Sequence, residues 1–411
     1  MDTLSSDPIA YLRSPQAIRD RCGQLFDLAC QGKLQHFDCD LTQLQPTAEY
    51  VLDVMREHYP DLNVPFHSRW RHFTAGGIDR LTELDQHLAN LDRQERARAK
   101  FDLAIISVLL DAGAGAAWQF YEAETAQTFH RSEGLAVASF RMFCQGAFSS
   151  NSQFPLRVDA LRLQEFTIAD LHQGFQLRED NPLVGVQGRL DLLQRLGKVL
   201  LTDPHRFGTT VPRPGNLVDF LQHQAIANQL AAPTILKAVL DGLGDIWPGR
   251  VAIAGKNLGD VWPHSALRND GPGSQLVPFH KLSQWLTYSL LEPLQELGFE
   301  ITALEALTGL AEYRNGGLCI DWGLLHPKYP QVLSDRHQPN AEVVVEWRAL
   351  TVALLDQIAD TIRQILNQTP TELPLVKVLE GGTWAAGRKI AAARRPGGIP
   401  PLQIDSDGTV F

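Results

Sequence analysis

Glu342-Val343-Val344-Val345-Glu346-Trp347-Arg348-Ala349-Leu350-Thr351-Val352-Ala353-Leu354-Leu355-Asp356-Gln357-Ile358-Ala359-Asp360-Thr361-Ile362-Arg363-Gln364-Ile365-Leu366 is the longest regular pattern in the chain, and its reading decides the fold class. Trp347, Leu350, Leu354, Ile358, Ile362 and Ile365 recur at steps of three and four, the spacing that lines one face of an α-helix. The β-branched start, Val343-Val344-Val345, also suits a short strand, so helix and strand both stay open at that end.

The same period extends outward. Residues 279–297 place Phe279, Leu282, Trp285, Leu286, Leu290, Leu294 and Leu297 along one stripe, with Pro293 expected to kink or divide it. Phe101-Asp102-Leu103-Ala104-Ile105-Ile106-Ser107-Val108-Leu109-Leu110 is apolar enough for a fully buried helix. Further helices are expected over 15–32, 48–58, 81–112, 134–146, 168–176, 185–200 and 217–240, the last divided by Pro233. Strands are few and short, at 251–254, 318–320 and 402–404. The expected fold is mainly α: α-rich with a few short strands. The Pro/Gly-rich stretch 203–215 is the best boundary between two helical lobes sharing a cleft, 1–205 and 206–411 with a folded-back tail; one large domain 1–411 is the alternative.

Composition narrows the function. Of 411 residues, 44% are hydrophobic and 20% charged, which excludes wholesale disorder. The net charge of −10 argues against a nucleic-acid partner, since no basic face is evident. The amino terminus lacks the basic start and apolar run of a signal peptide, and no stretch approaches the roughly 18 apolar residues of a membrane span. Cys22, Cys30, Cys39, Cys144 and Cys319 are irregularly spaced without a CxxC pair, as expected of free thiols in a reducing cytoplasm.

Six blocks between the helices carry residues suited to chemistry. His67-Ser68-Arg69-Trp70-Arg71-His72-Phe73 offers arginine forks that grip phosphate or carboxylate; a surface basic turn with an inward tryptophan fits equally. Asp111-Ala112-Gly113-Ala114-Gly115 ends the very apolar helix with a carboxylate that needs partners if buried. Gly259-Asp260-Val261-Trp262-Pro263-His264 is either a turn or a ligand contact. Phe279-His280-Lys281-Leu282-Ser283-Gln284-Trp285 puts Lys281 at a helix start, unfavourable for a cation unless it is solvated or held by a carboxylate. Glu312-Tyr313-Arg314-Asn315-Gly316-Gly317 leads to Asp321; Asn-Gly-Gly reads as a tight turn able to gather Glu312, Arg314 and Asp321. Leu379-Glu380-Gly381-Gly382-Thr383-Trp384-Ala385-Ala386-Gly387-Arg388, followed by Asp405-Ser406-Asp407-Gly408, is either a free tail or a lid folded over a site. GxSxG, HExxH, GxxxxGK[ST] and strand-associated GxGxxG patterns are absent, so serine hydrolase, zinc peptidase, P-loop and Rossmann readings lack support.

All of these blocks except 259–264 resemble the uracil catabolism protein 4 family, long grouped as a domain of unknown function. The likeness runs nearly end to end, through Leu276-Val277-Pro278-Phe279-His280-Lys281 to the closing Ser406-Asp407-Gly408-Thr409-Val410-Phe411. It implies a pyrimidine-degradation route in which uracil becomes a ribonucleotide, a protein similar to GTP cyclohydrolase II opens the ring, and urea appears. A shorter stretch-by-stretch likeness connects Phe279-His280-Lys281, Glu312-Tyr313-Arg314 and Glu342-Val343-Val344-Val345-Glu346 with the queuosine-nucleotide salvage hydrolases, N-glycosidases with a helical fold akin to DNA glycosylases. Glu312 stands where those enzymes are expected to have Asp.

Together the resemblances imply a cytoplasmic hydrolase that cleaves the C1′–N bond of a ring-opened uridine nucleotide, a ribosylurea phosphate, to urea and ribose phosphate. Glu312 would stabilise the oxocarbenium-like transition state and orient water, with Lys281 as partner or leaving-group helper. Asp111 and Asp321 are reserve carboxylates. Arg69, Arg71 and Arg388 are candidates for the 5′-phosphate, Trp285 and Trp384 for the ureido or ribose group, and His67, Arg314 and Glu380 for further substrate contacts. No metal or redox cofactor is required, the partner is a small nucleotide-derived substrate with coupling to the ring-opening enzyme, and neither nucleic acid nor membrane is implied. Two alternatives stay open: an amidohydrolase attacking the ureido carbonyl through Asp111 or Glu380 with a histidine, and a non-catalytic partner of the ring-opening enzyme.

Overall fold

The computed structural model describes residues 7–111, 113–115, 117–247 and 251–405. As expected, the protein is mainly helical, and its strands pair only two at a time. The described residues cluster into two compact units, each assembled from separated segments. The first comprises 7–67, 251–284 and 303–405; the second comprises 68–247 and 285–302. The stretch 203–215 lies inside the second unit.

The first unit is organised by Glu342–Leu366, helical from its first residue, so the Val343-Val344-Val345 start is helix and not strand. Trp347, Leu350, Leu354, Ile358 and Ile362 are buried along it, and it packs against the helices Pro15–Cys30, Leu44–His58 and Tyr313–Asp321. The expected strand at 318–320 and the expected Asn-Gly-Gly turn are both helix, within Tyr313–Asp321. Packing explains the glycines. A Cβ on Gly316 would stand 2.5 Å from the Trp347 ring, whose Nε1 donates to the Gly316 carbonyl at 3.0 Å. The residue is small because a helix and an indole meet there.

The tail segment 375–394 is also helical, with one wide turn, Leu379–Thr383, of π geometry between Leu375–Val378 and Trp384–Arg394. Gly381, Gly382 and Gly387 are buried. A Cβ on Gly387 would lie 2.2 Å from the Arg314 carbonyl oxygen, so Gly387→Ala must push the Trp384–Arg394 helix away from the start of Tyr313–Asp321. We expect a loss of about 1–3 kcal/mol on chemical denaturation. Gly23→Ala, in the Pro15–Cys30 helix with nothing within 4 Å of the new Cβ, should instead gain about 0.5–1 kcal/mol. Equal denaturation midpoints for the two variants would refute this packing.

The second unit is built on Arg93–Leu109, buried from Ala99 onward, against Arg131–Cys144. Val186–Thr202 packs on Ala160–Glu165. The expected 217–240 helix is two helices, Leu217–Gln224 and Ala232–Leu243, separated by the strand Gln229–Ala231. Pro233 therefore opens the second helix, where its missing N–H costs nothing, instead of dividing one. Pro293 does not divide its helix either: Lys281–Glu296 runs through it. The ring removes the N–H that would bond the Ser289 carbonyl, and Trp70 Nε1 donates to that carbonyl at 2.7 Å instead.

Candidate functional site

In the first unit, Glu312 caps the Tyr313–Asp321 helix. Its Oε2 accepts the Arg314 N–H at 2.8 Å and its Oε1 the Asn315 N–H at 2.6 Å, so the carboxylate is fixed against the positive end of the helix. Glu312 is only 6% exposed. Beside it, Arg314 Nε and Asn315 Oδ1 are buried with no hydrogen-bond partner among the described residues, although Arg314 also donates to the Gly398 carbonyl and Asn315 to that of Leu310. Native interiors pair most buried polar atoms. Two unpaired ones next to a buried carboxylate mark a polar focus.

Lys281 is the first residue of its helix and is half-buried. The preceding His280 takes a left-handed backbone, φ 47°, and its Nε2 meets the Leu12 carbonyl oxygen at 2.8 Å. Burial pulls the His280 imidazole below its usual range, favouring the neutral ring. The Lys281 N–H donates to Asp260 Oδ2 at 3.1 Å.

Asp260 and Arg348 join these two segments. Arg348 Nη1 and Nη2 donate to Asp260 Oδ1 and Oδ2, both at 2.7 Å, and Arg348 Nε donates to the Ala311 carbonyl at 3.3 Å. One bidentate pair thus holds the residue before Glu312 and the backbone of Lys281. Burial pushes the Asp260 carboxyl up, but the Arg348 guanidinium, with the Trp262 and Lys281 N–H groups, outweighs it and holds the group below the usual carboxylate range. Sequence reasoning assigned neither residue a role. The available signal was Arg348, set among apolar residues in the first half of the long helix, together with the unabsorbed Asp260-Val261-Trp262 block.

The tail supplies a second group in this unit. His67 Nδ1 lies 2.6 Å from Glu380 Oε2, both largely buried, and the Trp384 ring is 6.0 Å from the imidazole. The exposed Arg388 lies over the Trp384 ring at 5.7 Å. Trp384 and Arg388 flank Gly387, which abuts the Arg314 carbonyl, so the tail helix lies directly on the Glu312 cap. Asp321, at the other end of that helix, is held by Arg395.

The second unit holds the remaining candidates, which pair with carboxylates and hydroxyls, although Arg69 Nη2 and Arg71 Nε are buried with no hydrogen-bond partner among the described residues. Arg69 is fully buried and donates to Asp111 at 2.7 Å and Ser107 at 2.7 Å, with its guanidinium 5.5 Å from the Trp285 ring. Ser132 Oγ donates to Asp111 as well, at 2.6 Å. Arg71 donates to Glu292 at 2.6 Å. Asp111, read as a carboxylate in need of partners, thus has them; Ala112 beside it lies outside the described residues, as do residues 406–411 of the tail block. Among the described residues no group of three or more His, Cys, Asp and Glu is arranged to hold a metal ion, and no helix is long and apolar enough to cross a membrane.

Residues 11–411 match the family described as a protein of unknown function, DUF1688, and the chain belongs to that family. Among its relatives, uracil catabolism protein 4 of Lachancea kluyveri is 38% identical, the match covering 98% of this chain and 99% of that protein. Protein urg3 of Schizosaccharomyces pombe is also 38% identical, over 99% of this chain and all of its own length.

Proposed function

We propose that this protein acts in uracil catabolism as a hydrolase of the N-glycosidic bond in a ring-opened uridine nucleotide. The name of the Lachancea kluyveri relative, matched over its whole length, supports the pathway. The observation that carries the reaction class is the Glu312 carboxylate: buried, held by two backbone N–H groups, and joined through Asp260–Arg348 to the start of the Lys281 helix.

For a ribosylurea phosphate the chemistry balances with one water. The C1′–N bond breaks, its electron pair leaves with the ureido nitrogen, and C1′ becomes oxocarbenium-like. Glu312 stabilises that positive charge and aligns a water through lone pairs its backbone bonds leave free. Water adds to C1′, its proton is lost, the leaving nitrogen gains one, and the products are urea and ribose phosphate. Lys281 serves the leaving group or the charge balance. Arg388, exposed over Trp384 on the tail helix that packs against Tyr313–Asp321, is the candidate cation for the 5′-phosphate in this unit.

One observation favours a second reading. The His67–Glu380 contact at 2.6 Å is the arrangement by which a carboxylate orients a histidine base, as an amidohydrolase acting on the ureido carbonyl would use. Product analysis separates the two. Purified protein incubated with ribosylurea 5′-phosphate is expected to release urea and ribose phosphate without ammonia. Ammonia without ribose phosphate would replace the glycosidase reading with the amidohydrolase, and neither product would overturn both.

A further inference from the structure

We propose that the second unit carries a binding pocket for a free nucleoside or mononucleotide, made of residues that take no part in the hydrolysis proposed above. A cavity of about 1020 Å³ opens among residues 87–98, 153–157 and 204–224. Small-molecule sites commonly enclose about 300–1,000 Å³ between mostly apolar walls with a few convergent polar groups. This cavity is of that kind and is chiefly apolar-walled.

Its walls present flat surfaces. The Arg157 guanidinium lies 5.3 Å from the centroid of the Phe154 ring, and that of Arg206 lies 5.1 Å from the Phe220 ring. His205 meets Phe220 edge-on, with centroids 5.2 Å apart. Phe154 is 55% exposed, although its loop is fixed: Ser149 Oγ donates to the Phe154 carbonyl at 2.8 Å, and the Ser150 N–H donates to Asp159 at 2.8 Å. An aromatic ring built into a rigid loop at a cavity wall, backed by a guanidinium, is a stacking platform for a heteroaromatic base.

Arg157 adds the polar half of the recognition. Its side chain is 14% exposed, its Nε has no hydrogen-bond partner among the described residues, and its contact with Asp159 is a loose 3.6 Å. Elsewhere in the wall, Arg98 is paired with Asp219 and Glu95, and Arg213 with Asp102 and Glu95, while Arg206 Nε and Arg213 Nη2 resemble Arg157 Nε in having no hydrogen-bond partner among the described residues. A guanidinium largely removed from water with so little acceptance is complemented by the carbonyl edge of a base or by a phosphate. A polynucleotide is disfavoured by the net charge of −10. A single base-bearing molecule remains.

The test titrates the full chain with uridine, uridine monophosphate, adenosine monophosphate and inorganic phosphate, followed by saturation-transfer NMR and calorimetry. At least one base-bearing probe is expected to bind saturably, and inorganic phosphate alone far more weakly. Phe154→Ser and Arg157→Gln should each weaken that binding at least about tenfold, while Glu312→Gln leaves it unchanged. Phe154 is exposed, so its replacement keeps the fold readable. Absence of binding by every base-bearing probe, phosphate binding as tightly as the nucleotides, or binding that survives Phe154→Ser and Arg157→Gln but vanishes in Glu312→Gln would each overturn the assignment; the last would place the nucleotide at the hydrolytic residues.

Discussion

Asp260→Ala is expected to destabilise the protein by about 3–5 kcal/mol, the cost of leaving a buried charge without its partner. Arg348 is 1% exposed, lies 4.0 Å from the Phe279 ring, and directs both terminal nitrogens at Asp260. Asp260 also accepts from Trp262 Nε1 and the Lys281 N–H. The variant therefore removes the shared acceptor of four donors at once. Since whole domains are stable by only about 5–15 kcal/mol, denaturant midpoints should fall sharply. Asp260→Leu combined with Arg348→Met should recover much of that stability, because an apolar pair needs no desolvation. It should not recover activity, because the links from Arg348 to the Ala311 carbonyl and from Asp260 to the start of the Lys281 helix are lost. A loss below about 1 kcal/mol in Asp260→Ala would show that the pair is not structural, and a fully active double variant would show that it does not position the site.

That pair marks the limit of what periodicity reveals. The long helix was legible because Trp347, Leu350, Leu354, Ile358 and Ile362 keep its period whatever they pack against. Arg93–Leu109 was legible differently, through the continuous apolar run from Phe101 that only a buried element explains. What failed were residues whose local preference is overridden from a distance. Asn315-Gly316-Gly317 has the composition of a turn, yet it is helical because Gly316 must admit Trp347. Pro293 looks like a breaker until Trp70, far away in sequence, takes the carbonyl it frees. Glu312 and Lys281 were visible as unusual residues at element starts. Their link was not, because Asp260 and Arg348 are 88 positions apart and neither carries a spacing signal.

Glu312→Gln is expected to leave the protein folded and to lower kcat on the ring-opened nucleotide by about 10³-fold, equivalent to about 4 kcal/mol of transition-state stabilisation. The structural cost should be small. The amide oxygen can still accept one of the two N–H groups at 2.8 and 2.6 Å, and losing the other is worth about 1 kcal/mol, the usual value of a helix cap. Because Glu312 is a cap, lost activity alone would not separate chemistry from positioning. Glu312→Ser and Glu312→Asp make that separation, since both are good caps. If Glu312 only fixes the helix, Ser should restore stability and turnover together. If its charge opposes the developing oxocarbenium ion, Ser should restore stability with kcat still down by about 10³-fold, whereas Asp keeps the charge and should recover part of the rate. Turnover near the wild-type level in a stable Glu312→Ser variant would remove Glu312 from the chemistry and leave it as a cap.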